Sequence, residues 1–235
     1  MPPLKMDSTD PTERNLTRWN RVFAERSWGR YPPEELVRFI ARTFPDIEGR
    51  KGLRALEVGC GPGANLWYLA REGFTIAGID GSANAIELAR KRLGVEGLET
   101  VLQKAELRVG NFAKLPWPDA MFDVVIDIEA IYANHKSVIH SAITEVKRVL
   151  KPSGWFFAKM FGPKTTGAAS GKKLEARTTM PTKGPLADTG VTHVFTESEI
   201  REELTDFTQL SLDWVHRSDR DGGCEIFEWL VQARK

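Results

Sequence analysis

The sequence predicts an α/β fold, with helices wound on both faces of a mostly parallel sheet that closes on an antiparallel C-terminal strand. Three observations predict it. Short apolar runs alternate with helix-length amphipathic segments between Leu53 and Phe161, and parallel neighbours need crossovers of that length. The first apolar run ends in a glycine-rich turn, Gly59-Cys60-Gly61-Pro62-Gly63. Near the C-terminus two β-like runs, Leu210–His216 and Glu225–Val231, flank Ser218-Asp219-Arg220-Asp221-Gly222-Gly223, a hairpin signal with a longer loop.

Composition bounds the rest. The 235 residues suit one such domain with additions, and 41% hydrophobic against 28% charged residues allow a core and a solvated surface. A formal net charge of +1 gives no global attraction to nucleic acid or an anionic membrane. Two cysteines, Cys60 and Cys224, exclude a disulfide-dense scaffold and a cysteine-rich zinc site; Cys60 reads as a small filler in the glycine loop. No apolar run approaches the length of a bilayer span, and the N-terminus carries no signal-peptide core, so a cytoplasmic location is expected.

The elements follow in order. The first nine residues read as disordered. Asp10-Pro11-Thr12-Glu13 opens a helix, with a cap, a proline at the first helical position and an acid in the first turn; Leu16, Trp19 and Phe23 continue it at helical spacing. Trp28-Gly29-Arg30-Tyr31-Pro32-Pro33 breaks the pattern. A second helix runs from about Glu34 to Phe44 with Leu36, Phe39 and Ile40 on one face. The expected core is then strand Arg54–Val58, helix Leu66–Arg71 stopped at Gly73, strand Phe74–Ile79, helix Ser82–Leu93 and strand Glu106–Val109. It continues through strand Phe122–Ile128, helix Ser137–Leu150, a turn at Lys151-Pro152-Ser153-Gly154 and strand Trp155–Phe161. From Gly162 to about Val191 the chain is rich in Gly, Thr, Lys and Pro without clean periodicity, and reads as a mobile lid or substrate loop. Thr196-Glu197-Ser198-Glu199 is a capping box opening a helix to about Asp206.

The chemistry centres on the glycine turn. Glycines at 59, 61 and 63 remove three β-carbons from a strand-to-helix turn, so a ligand can approach the backbone. Gly59, Gly61 and Ala64 also satisfy the dinucleotide fingerprint, which leaves two cofactors open. Asp80, at the end of the second strand, can accept from both ribose hydroxyls of either one.

Glu57–Gly63, Asp80, Gly110-Asn111-Phe112, Phe122-Asp123-Val124-Val125 and Leu150-Lys151-Pro152-Ser153-Gly154 stand in order. Together they resemble the successive motifs of the class I S-adenosylmethionine-dependent methyltransferases over roughly Leu53 to Phe161. The resemblance implies a Rossmann-like, seven-stranded sheet, S-adenosyl-L-methionine as cofactor and S-adenosyl-L-homocysteine as product. It also implies an acceptor, here expected to be a small molecule rather than nucleic acid. Gly59, Cys60, Gly61 and Gly63 would then line the methionine end, and Glu57 would orient the loop, through the cofactor's ammonium. Asp80, Gly81 and Ser82 would hold the ribose. Asn111, where the family often has Asp, would meet the adenine amino group through its carbonyl oxygen, with Phe112 beside the ring. Ile128 would face the reacting centre.

The expected organisation is residues 1–52 as helices capping the cofactor site, 53–161 as the binding core, 162–195 as the lid and 196–235 as the helix and hairpin completing the sheet. Trp19, Trp28 and Tyr31 are candidates to cover the cofactor by cation–π contact, and Arg30 to pair with its carboxylate. Methyl transfer from a sulfonium needs alignment first and a base only where the acceptor must lose a proton, so no triad is expected. Glu129, Tyr132 and His193 are the candidate catalytic side chains, with Asn134 and His135 near them. Lys164, Lys172, Lys173, Arg177 and Lys183 could meet an anionic substrate or simply solvate the loop. Two alternatives remain: a non-catalytic S-adenosylmethionine-binding regulatory module, and an NAD(P)-dependent oxidoreductase.

Overall fold

The computed structural model describes residues 11–25, 29–95 and 97–235. The expected cap at Asp10, the disordered first nine residues and the covering role of Trp28 lie outside them. Three helices lead in: α1 (Pro11–Glu25), α2 (Glu34–Thr43) and α3 (Ile47–Arg50). The core follows as β1 (Arg54–Val58), α4 (Ala64–Arg71), β2 (Thr75–Asp80), α5 (Ala83–Val95), α6 (Glu99–Leu102), β3 (Glu106–Val109), β4 (Phe122–Ile128), α7 (Lys136–Val149) and β5 (Leu150–Phe161). Then come β6 (Lys172–Glu175), β7 (Thr178–Met180), β8 (Thr192–His193), α8 (Glu197–Glu203), β9 (Gln209–Asp219) and β10 (Cys224–Arg234).

The main sheet has seven strands in the order β3-β2-β1-β4-β5-β10-β9. The pairs from β3 through β5 are parallel, while β10 runs antiparallel to both β5 and β9. Strand order reverses between β1 and β4, and that switch point opens a crevice at the carboxyl edge. Side-chain alternation splits the core. Leu56, Val58, Val125 and Phe156 pack with Ile139, Ile143 and Val146 of α7. Ala55, Ile76, Val124 and Phe157 pack with Phe39 of α2, Leu66 of α4 and Ile86 of α5.

Two regions depart from expectation. The turn at residues 151–154 is absorbed into β5 as an irregular start, with a register shift opposite Phe122 and Val124. Ser153 there has φ +64°, and Lys151 Nζ sits 2.8 and 2.9 Å from the Asp123 carboxylate oxygens. The segment 162–195, expected as a loop without secondary structure, carries a three-stranded antiparallel sheet, β6-β7-β8. Its strands are two to four residues long, too short to show an alternation in sequence. His193 locks it down. Fully buried, it places Nδ1 2.8 Å from Thr178 Oγ1 and Nε2 3.1 Å from Glu199 on α8. Arg177, Lys136 and His193 surround Glu199, and their hydrogen bonds and charges hold its carboxyl far below the usual range despite burial. No helix among the described residues is long and apolar enough to cross a membrane.

Candidate active site

A cavity of about 320 Å3 lies at the carboxyl edge of the sheet, over the β1–β4 switch point. Its floor is the glycine loop. Gly59, Gly61 and Gly63 all have positive φ, so the turn depends on residues without a Cβ. Their roles differ. A Cβ at Gly59 would strike the Cβ of Ala130, and one at Gly63 would lie 2.9 Å from the Cβ of Ala89 on α5. A Cβ at Gly61 would meet only the Phe23 ring, 3.5 Å away across the cavity. Gly61 therefore keeps ligand space open, while Gly59 and Gly63 permit close packing. Gly63 caps α4 and does not line the cavity, contrary to the expectation for it.

Asp80 sits in the wall and ties the loop to β2. Its Oδ2 accepts from the Gly61 N–H at 2.9 Å and its Oδ1 from the Ser82 N–H at 2.8 Å. Each oxygen keeps a lone pair for a further donor. Burial raises its carboxyl, opposed by those two N–H groups. Ser82 itself is fully buried outside the wall, where its Oγ donates to Asn20 of α1 and accepts from Ala85 N. Gly81 does line the cavity, and Leu16 of α1 packs against its backbone.

Glu57 is the buried acid of the glycine loop. Oε1 accepts from Asn65 Nδ2 at 2.6 Å, while Oε2 and Asn65 Oδ1 are buried without a partner. Burial pushes the Glu57 carboxyl well up, with Asp127 and Asp80 adding to the rise and Asn65 opposing it. Two orphaned acceptors on the cavity wall call for a donor, and a cationic one best. The methionine end of S-adenosylmethionine, with its ammonium, meets that demand, so the residues present fit the implied cofactor.

Asp127, missed in the sequence, shapes the other side. Fully buried on β4, its Oδ1 accepts from the N–H groups of Ala130 and Ile131 at 3.0 Å each. Burial pushes its carboxyl up to about 7 against those bonds. The available signal was an acid at the far end of the run Phe122–Ile128, flanked by Ile126 and Ile128.

Other expected residues separate cleanly. Cys60, Phe112 and Ile128 line the cavity with Glu129 and Tyr132. Asn111 does not: it is exposed, and its Oδ1 accepts from Ala113 N in its own turn. Arg30 is exposed and outside the wall, although Gly29 and Tyr31 on either side of it belong to the lining. His193 is held in the small sheet and does not reach the cavity. The five cations of the 162–191 segment are also absent from the wall; Arg177 pairs with Glu199, and Lys164 lies over the Phe227 ring.

The roof comes from α1 and from the 162–195 segment. Trp19 and Phe23 of α1, with ring centres 5.7 Å apart, face the cavity. Asn20 holds α1 down by accepting from Ser82 Oγ and Asn84 N. Pro185, Leu186 and Thr189 of the 162–195 segment complete the lining, and Arg18 Nε donates to Asp188 O at 2.7 Å.

These buried acids make stability pH-dependent before any ligand binds. The carboxyls of Glu129 and Asp127 stand at about 8 and about 7, above ordinary values of 4.5 and 3.8. The folded chain thus holds protons that the unfolded chain has released, so stability is full near pH 4 and is lost as pH rises toward 8. Denaturant unfolding of the ligand-free chain between pH 5 and 8.5 will show a falling free energy. Asp127→Asn will flatten that fall; a rise with pH would refute the assignment.

Comparison with known proteins agrees with this geometry. Residues 56–158 match the family described as "Methyltransferase domain". A fatty-acid O-methyltransferase of Mycolicibacterium smegmatis is 38% identical over 131 residues, 52% of this chain and 43% of that protein. The chain thus spans less than half the length of that curated relative. A SAM-dependent methyltransferase from Methanosarcina mazei superimposes with TM-score 0.66 at 26% identity, over 82% of this chain and 97% of that one. The 1,6-didemethyltoxoflavin-N1-methyltransferase of Burkholderia thailandensis, solved with S-adenosylhomocysteine, shares the fold at TM-score 0.60 and 17% identity, over 99% and 93% of the two chains. Residues 56–158 thus match a methyltransferase domain, and the α/β core shares the fold of S-adenosylmethionine-dependent methyltransferases.

Proposed function

We propose that the chain binds S-adenosylmethionine in the β1–β4 crevice and moves its methyl group to a small-molecule acceptor. The observation that carries this is the pairing, in one cavity wall, of Asp80 beside the open face of Gly61 with the orphaned Glu57 carboxylate oxygen. The cofactor supplies an activated methyl on a sulfonium. The chain's own work is placement: Glu57 and Asn65 hold the ammonium, Asp80 holds the ribose, and Phe112 flanks the base. Trp19, Phe23 and the 162–195 segment exclude water, so donor and acceptor meet with their orientation already set. The roof must open to admit ligands, and residues 162–195 act as the lid. That roof suits a small acceptor better than a polymer. A cytoplasmic location belongs to the proposal, consistent with two buried, unpaired cysteines.

The test is transfer of isotope-labelled methyl from S-adenosylmethionine to a panel of fatty acids, phenols, alcohols and amines. Label in an extractable product supports an enzyme. Tight cofactor binding with no transfer to any panel member, nor to a total metabolite extract, supports the non-catalytic module instead.

A further inference from the structure

Beside Ile128, at the cavity wall, lies a charge cluster separate from Glu57 and Asp80. Lys159 of β5 is almost fully buried, and its Nζ lies 3.1 Å from Glu228 of β10, 3.4 Å from Glu129 and 3.8 Å from Glu35 of α2. Three carboxylates thus face one ammonium. Glu228 is fully buried, and neither of its oxygens has an aligned hydrogen bond. Arg217 of β9 stands 3.8 Å from it, too far for a direct bond. Glu129 lies in front of this pair, in the cavity wall next to Ile128, with its backbone at φ +56°. A non-glycine residue in that region carries strain that the surroundings must maintain. Tyr132 is the remaining titratable group against Glu129, and burial together with Glu129's charge keeps it a phenol.

The cluster cannot be fully ionised at low cost, because three carboxyls face one ammonium and both Lys159 and Glu228 are buried. Glu129 and Glu228 are close enough to share a proton, and burial with the Glu228 carboxyl pushes Glu129 up to about 8 against the pull of Lys159. Burial would lower Lys159, but the three carboxylates outweigh it and keep the ammonium charged. The result is a carboxyl that faces ligand space and can either hold or take a proton near neutral pH.

We propose that Glu129 is the proton acceptor of the transfer, and that the methyl acceptor is an amine or hydroxyl compound rather than a carboxylate. This rests on the methyltransferase reading above. The acceptor's N or O lone pair forms the new bond to the methyl carbon. The S–C bond breaks with its electron pair kept by sulfur, and the acceptor's proton passes to the Glu129 carboxylate. A carboxylate acceptor has no proton to give and meets an acidic wall. The specificity therefore departs from that of the fatty-acid O-methyltransferase to which the core is similar.

Sinefungin, in which an amine-bearing carbon replaces the methylated sulfur, probes the site without turnover. Its dissociation constant is compared with that of S-adenosylhomocysteine at pH 6.5 and 8.5, in the full chain and in the Glu129→Gln and Glu228→Gln variants. The preference for sinefungin in the unaltered chain will grow about tenfold with pH, as an ammonium gains a charged partner. Glu129→Gln will erase that growth while S-adenosylhomocysteine still binds, which also certifies its fold. Glu228→Gln will shift the growth to lower pH, because the competing carboxyl is gone; a merely structural Glu228 would not do so. A preference that ignores pH, or survives in Glu129→Gln, overturns the proposal. Failure of S-adenosylhomocysteine to bind the unaltered chain overturns the methyltransferase reading itself. In the methyl-transfer panel, labelled amines or phenols support the specificity and labelled fatty acids overturn it.

Discussion

Gly61→Val abolishes measurable binding of S-adenosylhomocysteine while the chain still unfolds cooperatively. The Cβ of residue 61 points across the cavity at the Phe23 ring, 3.5 and 3.6 Å away, and meets no backbone. An isopropyl group there occupies the space between the loop and α1 that a ligand must enter. The fold tolerates it: a β-branched residue at φ +48° costs about 1–3 kcal/mol, within an ordinary stability margin. Gly59→Val behaves differently. Its Cβ collides with Ala130, in the turn after β4, so that variant loses stability as well as affinity. Calorimetric titration beside denaturant unfolding separates the two. A Gly61→Val chain that binds normally would show that the loop is only a turn.

Asp80→Ala weakens S-adenosylhomocysteine binding by about 1.5–3 kcal/mol, roughly 10- to 150-fold, from lost hydrogen bonds to a charged group. The geometry adds a reason beyond the ribose. The same carboxylate accepts from Gly61 N and Ser82 N, so its removal loosens the floor and the start of α5 together. Asp80→Asn keeps one acceptor oxygen and will fall between the two. An unchanged dissociation constant in a folded Asp80→Ala chain would remove Asp80 from the site.

The sheet was legible because its strands announce themselves. Runs such as Phe122–Ile128 are mostly apolar, as expected for strands covered on both faces. The cavity wall was legible where a motif fixes the backbone, at Gly59, Gly61 and Asp80. It was misread where only proximity in sequence was available. Asn111 and Ser82 lie beside wall residues, but each is turned toward a backbone N–H, a choice set by local turn geometry. His193 looked like a catalytic candidate because a lone histidine near a lid has no visible partner in sequence. Its partners, Thr178 and Glu199, come from a strand too short to detect and a helix across the fold. The cluster of Lys159, Glu129, Glu228 and Glu35 was invisible for the same reason: four residues from four elements meet only once β10 inserts beside β5. The 162–195 segment contributes Pro185, Leu186 and Thr189 to the cavity lining, but its small sheet has no sequence period to read.

The central claim is that the crevice over Gly61 and Asp80 is built for S-adenosylmethionine. Isothermal titration of the full chain with S-adenosylhomocysteine, and separately with NAD(H) and NADP(H), tests it most directly. S-adenosylhomocysteine will bind saturably, one-to-one and with micromolar affinity, and neither dinucleotide will give heat. Binding of a dinucleotide with none of S-adenosylhomocysteine would contradict it.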